Sequence, residues 1–403
     1  MKVVFKREEL LNALIPCSGV VPGRANSNGL DGVLMECPGV EPGTCRLSVY
    51  DLDRGLRTSI DAKIMTEGKY ILNTQKLVQI VRAFPDDEIM ITVNENLRVT
   101  ISAGSGSFEI SALPGENFPM LPNLNGDRNY TMPQHEFRDL VSRTIYAAAT
   151  ADPQRVQCNG VYFRMRDGKM TIVACDGFKL AVNEADSPDG SPDASFLVPT
   201  KILLELLKMV KDSEDEITVS LARKHVIFKM GEHNFFARLI EAEYFNYVKM
   251  VERARDYLTE VFIDKAWLTG AVERAQLIAE DKLGGNYRAF VKMEFGEDLL
   301  KISCATQSGS VYEEIPCAMN GEGLIIGFNC RRFLETLRAI PDDVYTVRLR
   351  MTTALQGAIV EEARGSGFDF AAPDGVIPDG VSLPDDPERK KFLYYVMPVS
   401  MNG

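Results

Sequence analysis

Cys175 and Asp176, side by side in Ala174-Cys175-Asp176-Gly177, are the residues of this sequence whose types could do covalent chemistry, the thiol as nucleophile and the carboxylate as its partner. Such a nucleophile needs a base oriented beside it. None of the three histidines, His135, His225 and His233, stands near either residue in sequence or carries a recognisable signature. Asp-Gly here is read more economically as a turn between strands, because aspartate bonds its own backbone and glycine tolerates the turn conformation. The eight cysteines, Cys17, Cys37, Cys45, Cys158, Cys175, Cys304, Cys317 and Cys330, form no Cys-x-x-Cys pair and have no metal-site spacing to the histidines. They are read as reduced thiols, several of them on core faces. Gly104-Ser105-Gly106 lacks the lysine of a phosphate-binding loop, which removes an ATPase reading. The expectation is a protein with no catalytic residue, no metal and no cofactor. An enzyme on a duplicated α+β fold, with Cys175 and Asp176 in the roles above, is the lesser alternative.

The elements that must position these residues repeat along the chain. Arg82-Ala83-Phe84-Pro85-Asp86-Asp87 returns as Arg338-Ala339-Ile340-Pro341-Asp342-Asp343, an offset of 338 − 82 = 256 residues. Half that offset finds another copy, Asp212-Ser213-Glu214-Asp215-Glu216-Ile217, where 217 − 89 = 128 relates Ile217 to Ile89. Self-similarity at a fixed period marks a repeat architecture, and units of this length suit single domains. Each copy has an apolar strand (Tyr70-Ile71-Leu72; Ser195 to Val198; Leu324 to Phe328), a helix-capping residue (Thr74, Thr200, Asn329) and an amphipathic helix. Apolar positions at Leu77, Ile80 and Val81, at Leu203, Leu206, Leu207 and Val210, and at Phe333, Leu334 and Leu337 mark one buried face of each helix. Alternating strands such as Arg98 to Ser102 and His225 to Lys229 close the unit. A weaker strand-then-helix pattern opens each repeat, around Leu10 to Leu14, Phe137 to Ile145 and Trp267 to Ala275.

The fold class expected is therefore α+β, with three similar domains, each a duplicated unit of one helix plus antiparallel strands. The boundaries read from the sequence are 1–127, 128–254 and 255–403. Pro119 to Asp127 and Glu252-Arg253-Ala254-Arg255-Asp256 are read as the linkers, and the Pro-, Gly- and Asp-rich stretch at about 371–390 as an inserted surface loop.

At 403 residues and 45% hydrophobic content the chain has material for several cores, while its net charge of −12 counts against ordinary groove-reading DNA binders. An acidic protein can still gather its basic residues on one surface. The polar faces of the helices carry Lys76, Arg82, Arg138, Arg143, Lys201, Lys208, Lys211, Arg274, Arg331, Arg332 and Arg338, interspersed with Glu205, Glu273 and Glu335. Repeat symmetry would place equivalent faces on one surface. No stretch approaches the roughly 18 apolar residues of a membrane span, and Met1 to Glu9 has charges where a signal peptide needs its apolar core. A cytoplasmic location is expected.

The three repeats, with Asn159-Gly160-Val161-Tyr162-Phe163, Val173 to Val182, Ala237-Arg238-Leu239-Ile240-Glu241 and the tail Tyr394-Tyr395-Val396-Met397-Pro398-Val399, resemble the β subunit family of bacterial DNA polymerase III, the β sliding clamps, over the whole chain. Cys175, Phe178 and Lys179 stand where that family usually has Thr, His and Arg; Ala242 and Phe245 stand where Gly and Pro are common, and Ser400 replaces a frequent Arg. The resemblance implies a DNA clamp fold that dimerises head to tail into a closed ring. It implies a processivity factor that encircles duplex DNA topologically and without sequence preference, contacting it through Arg24, Lys76, Arg82, Arg138, Arg143, Lys201, Lys208 and Arg332. It implies a groove for short peptides of the polymerase III catalytic subunit, the clamp loader, other polymerases and repair proteins, built from Cys158, Cys175, Gly177, Phe178, Lys179, Leu180, Tyr395, Val396, Met397, Pro398 and Val399. It places Phe108, Leu277 and Ile278 at the dimer joint. A repeat scaffold that binds proteins only would share the strands and groove but leave the basic helix faces without a role.

Overall fold

All six strand-to-helix starts read from the sequence are formed. Helix α1 (Arg7–Val20) follows the strand Lys2–Lys6, α2 (Thr74–Ala83) follows Gly68–Asn73, α3 (Gln134–Ile145) follows Arg128–Pro133, and α4 (Thr200–Leu206) follows Ala194–Pro199. After an additional helix, α5 (Tyr247–Arg255), α6 (Lys265–Ala279) follows Thr259–Asp264 and α7 (Cys330–Ala339) follows Leu324–Phe328. The structure is a computed structural model and describes residues 1–21, 31–39, 43–126, 128–186, 192–279, 290–307, 309–363 and 391–401. The expected loop at 371–390 and Arg24 lie outside the described residues.

The repeat is obeyed atom by atom in α2 and α7. Asn73 Oδ1 accepts a hydrogen bond from Lys76 N at 2.9 Å, and Asn329 Oδ1 accepts one from Arg332 N at 3.1 Å, so the caps are 329 − 73 = 256 residues apart. Each cap satisfies one of the orphan N–H groups at a helix start. The two helices bury Leu77, Val78 and Val81 in one case and Phe333, Leu334 and Leu337 in the other, again at the same offset. Both end before a proline, Pro85 or Pro341, which cannot continue a helix.

Two of the three expected caps need correction. Thr74 is the first helical residue, with its hydroxyl buried and unbonded, and Asn73 does the capping. The Thr200 hydroxyl donates to the Asn159 carbonyl at 2.9 Å, tying the first residue of α4 to the end of the turn Val156–Asn159.

The described residues pack as two compact units, one of Met1–Arg138, Pro188–Pro192 and Lys201–Glu241, the other of Asp139–Ser187, Asp193–Thr200 and Ala242–Gly403. The middle repeat thus contributes to both, because its sheets are shared with its neighbours. In the first unit a 13-stranded sheet runs from the first repeat into the middle one where His233–Arg238 pairs antiparallel with Arg54–Asp61, His233 opposite Thr58. In the second a 9-stranded sheet makes the equivalent join where Lys179–Asp186 pairs with Lys391–Val396, Leu180 opposite Tyr395; a separate 4-stranded sheet holds the rest of the third repeat.

The first expected linker is extended chain, and Phe118, Leu121 and Leu124 close it over Tyr50, Ile227 and Phe236 at the join. The second expected linker, Glu252 to Asp256, is corrected: it continues α5 to Arg255. Asn246 caps that helix, and Tyr247 and Val251, one turn apart, bury its inner face.

Candidate peptide groove and basic helix faces

The Cys175–Leu180 turn is built from its own backbone. Asp176 Oδ1 accepts from Phe178 N and Lys179 N, each at 2.8 Å, and Gly177 N donates to Cys175 Sγ at 3.2 Å. Gly177 has φ +89°, and a Cβ there would lie 1.9 Å from Arg155 Nη1, so only glycine fits. Arg155 is itself fixed by Asp152, Nε to Oδ2 at 2.9 Å. Asp176 is thus spent on the turn, and burial pushes the Cys175 thiol up to about 12. A thiol so protonated is no nucleophile at neutral pH.

Beside the turn lies an apolar floor of Val173, Cys175, Leu180, Tyr247, Val251, Ile359 and Tyr395, flanked by Tyr162, Tyr244, Phe245 and Met397. Tyr162 and Tyr244 stack with ring centroids 4.6 Å apart. The tail closes the other side. Met397 N donates to the Phe178 carbonyl at 2.8 Å, and Val399 N donates to the Gly327 carbonyl at 2.8 Å. Two segments more than 200 residues apart in the sequence therefore bring their apolar residues into one cluster.

The structure sorts the expected groove residues. Cys175, Leu180, Tyr395 and Met397 come together in the cluster, and Phe178, on the adjoining turn, has 44% of its surface exposed. Pro398 and Val399 are half-buried and carry the tail onward, while Val396 is fully buried and serves the core. Cys158 is buried in the turn Val156–Asn159. Lys179 is a correction. Its side chain, 5% exposed, turns away from the groove to Glu335 on α7 and to the Tyr146 carbonyl at 3.1 Å, so its charge positions the turn and is not offered to a partner. Burial alone would raise the Glu335 carboxyl, but the Lys179 and Arg331 cations outweigh it and hold it below the usual carboxylate range.

Sequence reasoning missed Tyr162, Tyr244, Tyr247, Val251 and Ile359. The aromatic run Tyr244-Phe245-Asn246-Tyr247 was the available signal.

The basic residues divide by partner. Lys76, Arg82 and Lys201 are exposed and, among the described residues, make no ion pair. Lys208 is bonded to Glu205 at 2.9 Å, Arg274 to Glu313 at 2.6 Å and Arg338 to Glu273 at 2.9 Å. Arg138 Nη1 donates to the Leu207 and Val210 carbonyls at 3.1 and 2.8 Å, closing the end of α4. Arg143, 16% exposed, pairs with Asp139 at 2.6 Å and Glu362 at 2.9 Å and lies 4.0 Å over the Phe392 ring. Arg143 is thus held inside the fold, and its expected place on a DNA surface is set aside for that reason, whereas Arg138 keeps an exposed side chain. Arg332 lies 3.6 Å over the Phe178 ring.

At the expected joint, Phe108 is 44% exposed and meets Phe84 edge-on at 5.4 Å. It stands on Gly106–Pro114, which pairs Arg98–Ala103 along its length but meets Gly68–Asn73 only at Ala112 to Pro114. In the second unit Ser310–Pro316 is the last strand of its sheet, beside α6, where Leu277 is 77% exposed and Ile278 packs near Gly309.

Repeated helix-plus-strand units that share sheets across their joins are the architecture of a DNA clamp. The comparisons with known proteins agree. Family models of the DNA polymerase III beta subunit match in order, the N-terminal domain over residues 1–122, the central domain over 131–246 and the C-terminal domain over 255–371. The beta sliding clamp of Pseudomonas aeruginosa is 28% identical over 370 residues, covering 90% of this chain and 96% of that protein. The beta sliding clamp of Staphylococcus aureus is 28% identical over 282 residues, covering 70% and 73%. The solved structure of a Pseudomonas aeruginosa sliding clamp bound to griselimycin superposes with TM-score 0.84 at 27% identity over 100% of both chains. The Bacillus subtilis sliding clamp, at 20% identity and TM-score 0.85 over 99% of both chains, shares the fold. The chain belongs to the DNA polymerase III beta subunit family. Its function is that of a sliding clamp, a non-catalytic processivity factor in DNA replication.

Proposed function

We propose that two copies of the chain close head to tail into a ring around duplex DNA, and that the groove between the Gly177–Phe178 rim and the Met397 tail tethers polymerases and other replication and repair proteins by short peptides. The observation that carries the ring is the pair of strand edges left open among the described residues, Gly106 to Ile110 in the first repeat and Ser310–Pro316 in the third. Unpaired edges are places where a second chain adds strands. A head-to-tail contact that closes gives a ring instead of a filament. Phe108 on one edge and Leu277 beside the other supply apolar contact, with Ile278 behind Leu277.

Lys76, Arg82 and Lys201 supply the positive surface for phosphates, with Lys208 a weaker contributor because Glu205 neutralises it. Backbone contacts of this kind position DNA without reading sequence, and the acidic remainder of the chain discourages DNA from binding elsewhere. The division into repeats at 1–127, 128–254 and 255–403 follows from the same reading, as does work in the cytoplasm, where replication proteins meet DNA. Sedimentation equilibrium tests the ring: a dimer is expected at micromolar concentration, and a monomer throughout would refute it.

A further inference from the structure

We propose that Arg332 is a specificity determinant of the peptide groove, and that it selects partner peptides carrying a carboxylate side chain next to their apolar anchor. The inference rests on the groove reading above and deepens it. From the sequence, Arg332 was expected to face DNA with the other helix cations.

Its surroundings point elsewhere. The guanidinium carbon lies over the Phe178 ring, 3.6 Å from its centre. The carbonyl of Phe178 accepts from Met397 N, so the residue under Arg332 is also the one that clasps the tail. Phe178 and Arg332 line a cavity of about 670 Å³ together with Tyr146, Gln154, Asp176 and Asn329. Phe178 thus lines the cavity and also clasps the tail by its backbone.

The charges in the cavity wall are matched except at Arg332. Asp152 is held by Arg155 at 2.8 Å. Asp176 accepts two backbone N–H groups of its turn. Glu335 is shared by Lys179 and by Arg331, the latter at 3.1 Å. Arg332 makes no ion pair among the described residues, and its only side-chain contact of note is the Phe178 face. Stacking on an aromatic face fixes the guanidinium plane and leaves its N–H edge for a planar acceptor, which a carboxylate matches in bidentate geometry. Phe178 in place of an imidazole makes this possible without adding a second charge to the rim. The arrangement is a positive, half-buried, pre-oriented receptor at the end of an apolar groove, and a peptide with an acidic side chain next to its anchor complements it.

The test is a titration of two synthetic peptides that share the same apolar anchor and differ only in Glu against Gln at the positions flanking it, against the full chain, Arg332→Gln and Arg332→Lys. The wild type is expected to prefer the Glu peptide by about fivefold, the upper range for a partly exposed ion pair. The preference should fall to near unity in Arg332→Gln and to an intermediate value in Arg332→Lys, which keeps the charge and loses the fork. It should also shrink as salt rises. Equal affinity of both peptides for the wild type, or a preference that survives in Arg332→Gln, would overturn the inference while leaving the groove in place. Failure of both peptides to bind the wild type would overturn the groove and the inference together. Faster loss of Arg332→Gln than of wild type from closed DNA circles would make Arg332 a DNA contact and overturn the inference.

Discussion

Lys179, at the start of a strand in the middle repeat, is ion-paired with Glu335 on α7 of the third repeat, 156 residues away in sequence. The pair fastens the Cys175–Leu180 turn to α7. Removing one partner leaves a charge without its match, so Lys179→Ala should destabilise the chain by roughly 1–3 kcal/mol, as a charged hydrogen bond with one half-exposed partner does. Because the Glu335 carboxyl is held below its ordinary value, its contribution is complete above the unfolded glutamate pKa of about 4.3 and disappears as pH falls through the lowered value. Urea midpoints of wild type and Glu335→Gln should therefore differ by a constant amount at neutral pH and converge in acid. A gap that widens in acid would contradict the assignment.

Leu277 and Ile278 should part company on mutation. Leu277 is exposed and contributes only once a second chain covers it, so Leu277→Ala should leave monomer stability unchanged and weaken dimerisation by roughly 1.5–3 kcal/mol per joint. Ile278 already packs near Gly309, so Ile278→Ala should also lower the unfolding midpoint. Sedimentation with parallel denaturation separates the two. An unchanged dimer constant in Leu277→Ala would place the joint elsewhere.

The division of cations predicts unequal charge reversals. Lys76→Glu, Arg82→Glu and Lys201→Glu should each lower the slope of log affinity against log salt by about 1 if each meets a phosphate. Lys208→Glu should change it less, since Glu205 already neutralises Lys208. Arg143→Glu should act on folding, because that guanidinium sits between Asp139, Glu362 and Phe392. Equal effects of all five on the salt slope would mean that ion pairing within the chain is irrelevant to DNA contact.

Met397 joins the floor by its side chain and the rim by its backbone. Met397→Ala should weaken a groove peptide by roughly 1–2 kcal/mol, whereas deleting 397–403 should abolish binding and leave the dimer constant unaltered. Peptide affinity that survives the deletion would place the groove elsewhere.

Much of this architecture was legible in the sequence because local signals and the repeat agreed. The 256-residue offset between Phe84 and Ile340 is the offset between two helix ends, and Asn329 announced its own cap. Thr74 misled because threonine and asparagine both cap helices and Asn73 stands one residue earlier. Glu252 to Asp256 looked like a linker because its charges conceal a helix whose buried residues, among those described, are Tyr247 and Val251. Lys179 and Arg143 were misplaced for a different reason. Their partners, Glu335 and Glu362, are 156 and 219 residues away, and a charge paired at that range looks like any solvated charge until the chain folds.

The central claim is retention by topology. The full-length protein, loaded by its clamp loader onto a nicked circular plasmid, should stay bound through gel filtration in salt high enough to screen phosphate contacts. It should then be lost when one restriction cut linearises the plasmid. Equal retention on the circle and the cut molecule, or loss from the closed circle on raising salt, would contradict the account.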